Sequence, residues 1–277
     1  EIRFCDWSSD VCSSDLTKKN VLFGINLFPY CDILVDAKSQ LQDADNLDAK
    51  LILHPVGSDI WQIGPQIKTK VKSLLDNPLV DCILTYSDCF IDDIKEYYKI
   101  KRAIHVLPPV LENETFFPLS NSQILQRRKE LGLKEDDFII SHHSSMRRIK
   151  CPEIILDIAQ KTAQLISDRC ILIMIGPIPF DVVQSLNLNL IKYSNGESLF
   201  KYKAQKGNLT IYWTGVLSNV EYLLQVSNVE LNASLYDSFN LALMEAMACG
   251  IPVVSSDIVG ICKHISASDA GFCFRTN

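Results

Sequence analysis

From Asn20 onward, short apolar runs alternate with stretches whose apolar positions recur every three or four residues. The runs "VLFGI" (from Val21), "KLILH", "DCILTY", "AIHVL", "DFIISHH", "CILIMIG", "LTIYW", "VELNAS" and "PVVSS" predict strands. They are rich in β-branched residues and mostly lack polar alternation, as in strands covered on both faces. Between them, "PEIILDIAQKTAQLI" and "SNVEYLLQVSN" carry the spacing of amphipathic helices. Buried parallel strands joined by helices predict an α/β chain of doubly wound sheets.

The alternation breaks at "LPPVLENETFFPLSNSQ", Leu107 to Gln123, where three prolines and a polar run intervene. A basic helix, "ILQRRKELGL", follows and ends near Gly132, and a fresh strand begins. Two doubly wound sheets with a hinge between them are therefore expected, one over residues 17–112 and one over residues 113–277. The first sixteen residues, "EIRFCDWSSDVCSSDL", have neither period. They resemble the translation of sequencing-adapter read-through and are set aside as a leader foreign to the fold. The chain stops at Asn277, just after the strand-like "GFCFR". A fragment is expected, with an incomplete N-terminal domain and an open C-terminal end.

Composition narrows the class. The chain has 277 residues, 47% hydrophobic and 22% charged, as in a globular protein. A net charge of -6 argues against nucleic acid as the main partner. The longest apolar run, Cys170 to Phe180, is broken by Gly176, Pro177 and Pro179, and a membrane span needs roughly 20 residues. Ten cysteines sit singly with no CxxC pair, which predicts reduced thiols in the cytoplasm and no metal site.

The stretch that carries chemistry is "DSFNLALMEAMACGIPVVSSD", Asp237 to Asp257. It reads as loop, helix and strand, with Gly250 and Pro252 stopping the helix. Leu241 to Ala248 is apolar on every side except at Glu245, and such a helix is normally buried. A buried carboxylate needs a protein partner or a ligand. Ser238 or Asn240 would cap the helix, and its first turn would suit an anion. Asp237 precedes Glu245 by a gap of seven residues, so a ligand over the helix start would reach both acids.

This segment resembles the donor-binding motif of the GT-B glycosyltransferases, in particular the large retaining group with a "glycosyl transferases group 1" domain. That motif has two glutamates separated by seven residues, in a sequence such as "EGFGLALLEAMACGTPVVASDVGG". The resemblance implies that Glu245 holds the ribose hydroxyls of a nucleotide. Asp237 would contact the donor sugar, with Ser238, Phe239 and Asn240 supplying the loop between. Asp237 is one methylene shorter than the usual glutamate, and Asn240 stands where glycine is usual.

Further matches extend it. "SHHSSMRRIKCPEII" is similar to the family's "SNFRPVKRP" type of segment, placing Arg147 and Lys150 where cations stabilise a leaving diphosphate. "NLTIYWTGVLSNVEYLLQVSNVELNASL" is similar to "NVIFLGFVDDVEELLAASDVFVLPSL", with Gly215 beside the nucleotide base. In the first domain, "LILHPVGSDIW" resembles "VVTVHGSDI", making His54, Gly57 and Asp59 acceptor-side candidates. Ser87 matches a family serine. His105, His142 and His143 receive no role.

The resemblance implies transfer of a sugar, with retention, from a UDP- or GDP-sugar to an acceptor hydroxyl, with no cofactor and no metal. The acceptor would be a glycan or lipid-linked. Membrane contact would be peripheral, through the missing N-terminal part, in a protein at the inner face of the membrane. Two alternatives stay open: a non-catalytic nucleotide-sugar-binding subunit, and another GT-B enzyme such as a sugar-nucleotide epimerase or a phosphorylase.

Overall fold

The computed structural model describes residues 20–27, 31–45, 49–57, 60–61, 64–193 and 198–275. The chain divides into two compact units between Pro109 and Val110. Ser58 and Asp59 lie outside the described residues, as does the leader.

The first unit runs β1 (Asn20–Ile25), α1 (Cys31–Asp45), β2 (Ala49–His54), α2 (Pro65–Leu75), β3 (Cys82–Thr85), α3 (Asp88–Tyr98) and β4 (Ile104–Val106). Its strands pair in parallel in the order β1-β2-β3-β4. Leu51 and Leu53 of β2 and Ile83 of β3 are buried with Leu75, Phe90 and Ile94 of the helices. Parallel pairing requires a crossover between successive strands, and the helices supply it.

The second unit begins with α4 (Asn121–Glu130), whose start is closed by a capping box of Ser120 and Gln123. Arg128 is buried and donates to the carbonyls of Val226, Glu135 and Asp137 and to Asn228 Oδ1, fastening the helix under the sheet. There follow β5 (Phe138–His143), α5 (Pro152–Leu165), β6 (Cys170–Ile175), α6 (Phe180–Ser185), β7 (Ile191–Lys192), β8 (Tyr202–Lys206) and β9 (Leu209–Trp213). The unit continues with α7 (Glu221–Leu224), β10 (Val229–Leu231), α8 (Leu241–Ala248), β11 (Val253–Ser256), α9 (Cys262–Ala267) and β12 (Gly271–Phe274).

The sheet order is β12-β11-β10-β5-β6-β9-β8-β7. The six strands from β12 to β9 are parallel. The chain builds outward from β5 through β6 to β9, then returns to β5's other side with β10. Strand order therefore reverses between β5 and β10, and the crevice beyond their carboxyl ends is where such a sheet holds ligands. Every residue of β6 and of β9 is buried, as the apolar run of β6, and that of β9 interrupted by Thr210, lead one to expect.

Three sequence expectations are modified. The antiparallel strands β7 and β8 extend the sheet edge, and their polar, lysine-rich sequence carries no strand signal. "SNVEYLLQVSN" shortens to the four residues of α7. The helix that is apolar all round, α8, is not wholly enclosed: Leu243 and Ala246 are buried, whereas Leu241 is 45% exposed. Leu241 and Glu245, one turn apart, share its open face. The described cysteines are free thiols, and those of Cys262 and Cys273 lie 2.6 Å apart across α9 and β12.

Candidate functional site

The switch point is built from two loops, one after β5 and one after β10. The β5 loop is shaped by a crossing over Gly176, where a Cβ would stand 2.0 Å from the Ser144 carbonyl oxygen. Only glycine permits that approach. His142, fully buried, pins the same loop. Its Nδ1 lies 2.8 Å from the Leu231 carbonyl, and its Nε2 lies 3.0 Å from Ser144 Oγ, which accepts the Met146 N–H. A carbonyl only accepts, so Nδ1 carries the proton and Nε2 accepts from the serine. Burial pushes this imidazole down to about 4, so the ring is neutral at pH 7.

The β10 loop is fastened to its neighbours by backbone hydrogen bonds. Leu235 N–H donates to the Ile149 carbonyl at 2.9 Å, joining the two loops across the switch point. Gly260 N–H donates to Asp237 O and Ile261 N–H to Phe239 O. Asn240 adopts a left-handed φ of 78°, and its Oδ1 accepts the Leu243 N–H at 3.1 Å. Asn240 is thus the N-cap of α8, and the family's glycine preference has its reason in this backbone conformation, which asparagine tolerates.

Two pairs of side chains meet at this point. Lys150, at the end of a 3-10 turn (Arg148–Lys150), forms an ion pair with Asp237. Both side chains are largely buried. Glu245 meets His143, Nδ1 to Oε2, at 3.3 Å. The approach is off the line of a hydrogen bond, and both atoms are without a hydrogen-bond partner. Burial disfavours the His143 imidazolium, yet the Glu245 and Glu230 carboxylates overcome it and raise the ring's pKa above its ordinary value. Glu230 lies directly behind, 1% exposed, its Oε1 accepting the His143 backbone N–H at 2.7 Å. Burial pushes the Glu230 carboxyl up to about 7.

The remaining expected residues fall less uniformly. Arg147 is exposed, with Nε donating to Ser145 Oγ at 3.0 Å. Ser238 and Phe239 are buried, and the Phe239 ring packs with its centroid 5.9 Å from that of His264. Gly215, with a φ of 75°, lies just beyond β9, its carbonyl accepting from Gly176 N–H and from Thr214 Oγ1. In the first unit, His54 ends β2, buried against Tyr86 with ring centroids 4.4 Å apart. Its Nε2 has no hydrogen-bond partner, and burial lowers its pKa. Gly57 has a φ of 123°. Among the described residues, no three His, Cys, Asp or Glu side chains are grouped to hold a metal ion.

Sequence reasoning missed His142, His143, Glu230 and Gly176. One signal was present: Glu230 is a lone acid inside the strand "VELN", where the similar family stretch reads "VFVL". The histidine pair at the end of β5 offered no signal without the sheet order.

Residues 123–277 match the family "Glycosyl transferases group 1". N-acetyl-alpha-D-glucosaminyl L-malate synthase of Bacillus anthracis is 24% identical over 225 residues, 80% of this chain and 54% of that protein. UDP-Gal:alpha-D-GlcNAc-diphosphoundecaprenol alpha-1,3-galactosyltransferase of Escherichia coli is 28% identical over 185 residues, 66% of this chain and 44% of that protein. The chain thus spans about half the length of the curated relatives it matches. Among solved structures, the Anabaena protein HepE in complex with UDP superposes with a TM-score of 0.69 at 16% identity, covering 93% of this chain and 65% of that one. The fold is that of the GT-B glycosyltransferases, and the chain belongs to the glycosyl transferases group 1 family.

Proposed function

We propose that this chain carries the donor site of a retaining glycosyltransferase, which moves a sugar from a UDP- or GDP-sugar to an acceptor hydroxyl. The observation that carries the reading is Glu245. Its side chain lies on α8 beyond the ends of β5 and β10, partly exposed, and its Oε2, ion-paired with His143, makes no hydrogen bond besides. Acids placed there accept ribose hydroxyls. HepE, of like fold, is described in complexes with UDP and with UDP-glucose.

In this reading Asp237 contacts the donor sugar, and the Ser238–Asn240 backbone faces the sugar and phosphates. Arg147 and Lys150 stabilise the charge that grows on the leaving diphosphate. Lys150 shares its charge between Asp237 and a phosphate oxygen when donor is bound. The leaving phosphate oxygen takes the acceptor's proton on the same face of the sugar, so no covalent enzyme nucleophile is needed. Gly215 lets the backbone pass the base. His54 and Gly57, with Asp59, belong to the acceptor side. The acceptor is a glycan or a lipid-linked glycan, and the protein works in the cytoplasm, with peripheral contact at the inner membrane face. No helix among the described residues is long and apolar enough to cross a membrane.

One observation favours a second reading. Asp237 is already ion-paired, as in a subunit that binds nucleotide-sugar without turning it over. Donor consumption with an acceptor present separates the two.

The test is a thermal-shift titration with UDP, GDP and ADP. A ligand at 100 times its Kd adds about 2.7 kcal/mol, or on the order of 5–10 °C for a domain of this size. One nucleotide should stabilise the chain, and Glu245→Ala should abolish the shift. No shift from any of the three in a cooperatively unfolding sample refutes the donor site.

A further inference from the structure

Glu230 is the least expected side chain in the sheet. It occupies a central strand, its register partner is Ser141 of β5, and its side chain is closed off from solvent. A carboxyl in such a place is costly unless its oxygens are satisfied. One oxygen is satisfied, by the His143 backbone N–H; Oε2 is not. Glu230 Oε2, His143 Nδ1 and Glu245 Oε2 are all buried polar atoms with no hydrogen-bond partner, and all belong to this one cluster. Two of the three, His143 Nδ1 and Glu245 Oε2, face each other as an ion pair at 3.3 Å, so the cluster is held together by charge rather than by hydrogen bonds.

We infer that His143, gripped from behind by Glu230, is the positioning residue for Glu245, supplying the cation that holds the ribose-binding carboxylate in place at the crevice. The inference rests on the donor-site reading above. The 3.3 Å ion pair suits the role: the imidazolium attracts Glu245 through Oε2 and fixes the side chain's direction. Glu230 acts on His143 in two ways. Its Oε1 fixes the backbone from which the ring projects, and its charge favours the protonated ring.

The groups that face His143 set the sign of the pH dependence. They are Glu230 on β10 and Glu245 on α8. His142 beside it on β5 is kept neutral by burial, and Lys150, paired with Asp237, is the other cation near that strand end. As pH rises through the raised pKa of His143, the cluster loses a positive charge, and Glu230, its carboxyl pushed up to about 7 by burial, gains a negative one. An anionic nucleotide-sugar then meets a more negative site. Donor affinity should therefore be highest with the ring protonated and should fall as the ring titrates.

The experiment has two arms on the whole chain. In the first, the His143 ring is titrated by NMR in wild type, Glu245→Gln and Glu230→Gln. The midpoint should lie above about 6.5 in wild type and drop in both variants. In the second, UDP-glucose affinity is measured at pH 6.5 and pH 8.5. Wild type should bind more weakly at the higher pH. His143→Gln should bind about tenfold more weakly than wild type at pH 6.5, the loss expected for one charge-assisted contact. Its affinity should change less with pH, whereas a merely structural role for the ring would leave the pH profile intact. Equal midpoints in all three proteins would overturn the inference, and with nucleotide still binding they would leave the donor reading standing. Shifted midpoints with no binding of UDP-glucose, GDP-mannose or ADP-glucose would overturn the donor reading and the ribose contact together.

Discussion

Replacing Glu230 by glutamine removes a charge that the fold holds at a cost, and the cost sets a measurable pH dependence. The side chain is 1% exposed. Burial is the main cause that pushes its carboxyl from the ordinary 4.5 up to about 7, against opposing contributions from Ser141 and His143. The native state therefore keeps a proton that the unfolded chain releases, and stability falls as pH rises between those two values. At about 1.4 kcal/mol per pH unit, the loss amounts to about 3 kcal/mol once the folded carboxyl is ionised. Glutamine is neutral throughout and retains an oxygen to accept the His143 N–H. Glu230→Gln should match wild type near pH 5, then gain on it up to about pH 7.5. The full gap corresponds to about 6–12 °C in Tm for a domain of this size. The gap is a ceiling, because the new amide nitrogen takes the place of Oε2, which has no hydrogen-bond partner. Thermal unfolding of both proteins from pH 5 to pH 9 in matched ionic strength measures it. A difference that is constant with pH, or a variant less stable at pH 8.5, would refute the buried-acid account.

The remaining predictions concern the backbone of the two loops. Asn240→Ala should lose both the cap to Leu243 and a residue tolerant of a φ of 78°, costing about 1–2 kcal/mol in chemical denaturation. Asn240→Gly should cost only a few tenths, and equal losses would show that the cap geometry is misread. Gly176→Ala must move the Ser144 carbonyl that lies 2.0 Å from the new Cβ. It should lower the midpoint of denaturation and weaken nucleotide binding together, and wild-type behaviour in both would show that the loop does not cross there.

How much was legible follows from where each piece of information sits along the chain. Contiguous patterns were readable. The apolar run of β6 and the nearly apolar run of β9 announced buried strands, because a strand covered on both faces offers few polar positions. The segment from Asp237 to Asp257 announced a loop, a capped helix and a strand, because cap, helix period and Gly–Pro stop all act within a few residues. It left Ser238 and Asn240 as rival caps. That rivalry is settled by φ at residue 240, which depends on how the loop is held by Gly260 and Ile261.

Pairings between distant segments were not readable. Nothing in the order of letters says that β10 returns to lie beside β5. That neighbourhood alone brings Lys150 to Asp237 and His143 to Glu245 and Glu230. The edge strands β7 and β8 escaped for the opposite reason: their short, polar sequence states no preference, and hydrogen bonding to β9 supplies the extended conformation. The sequence alone established the α/β class, the family resemblance and the two acids of the motif, since each is written in local composition and spacing. Only the tertiary structure decided which charges face one another, because electrostatics depends on distance through space, and the sheet order sets that distance.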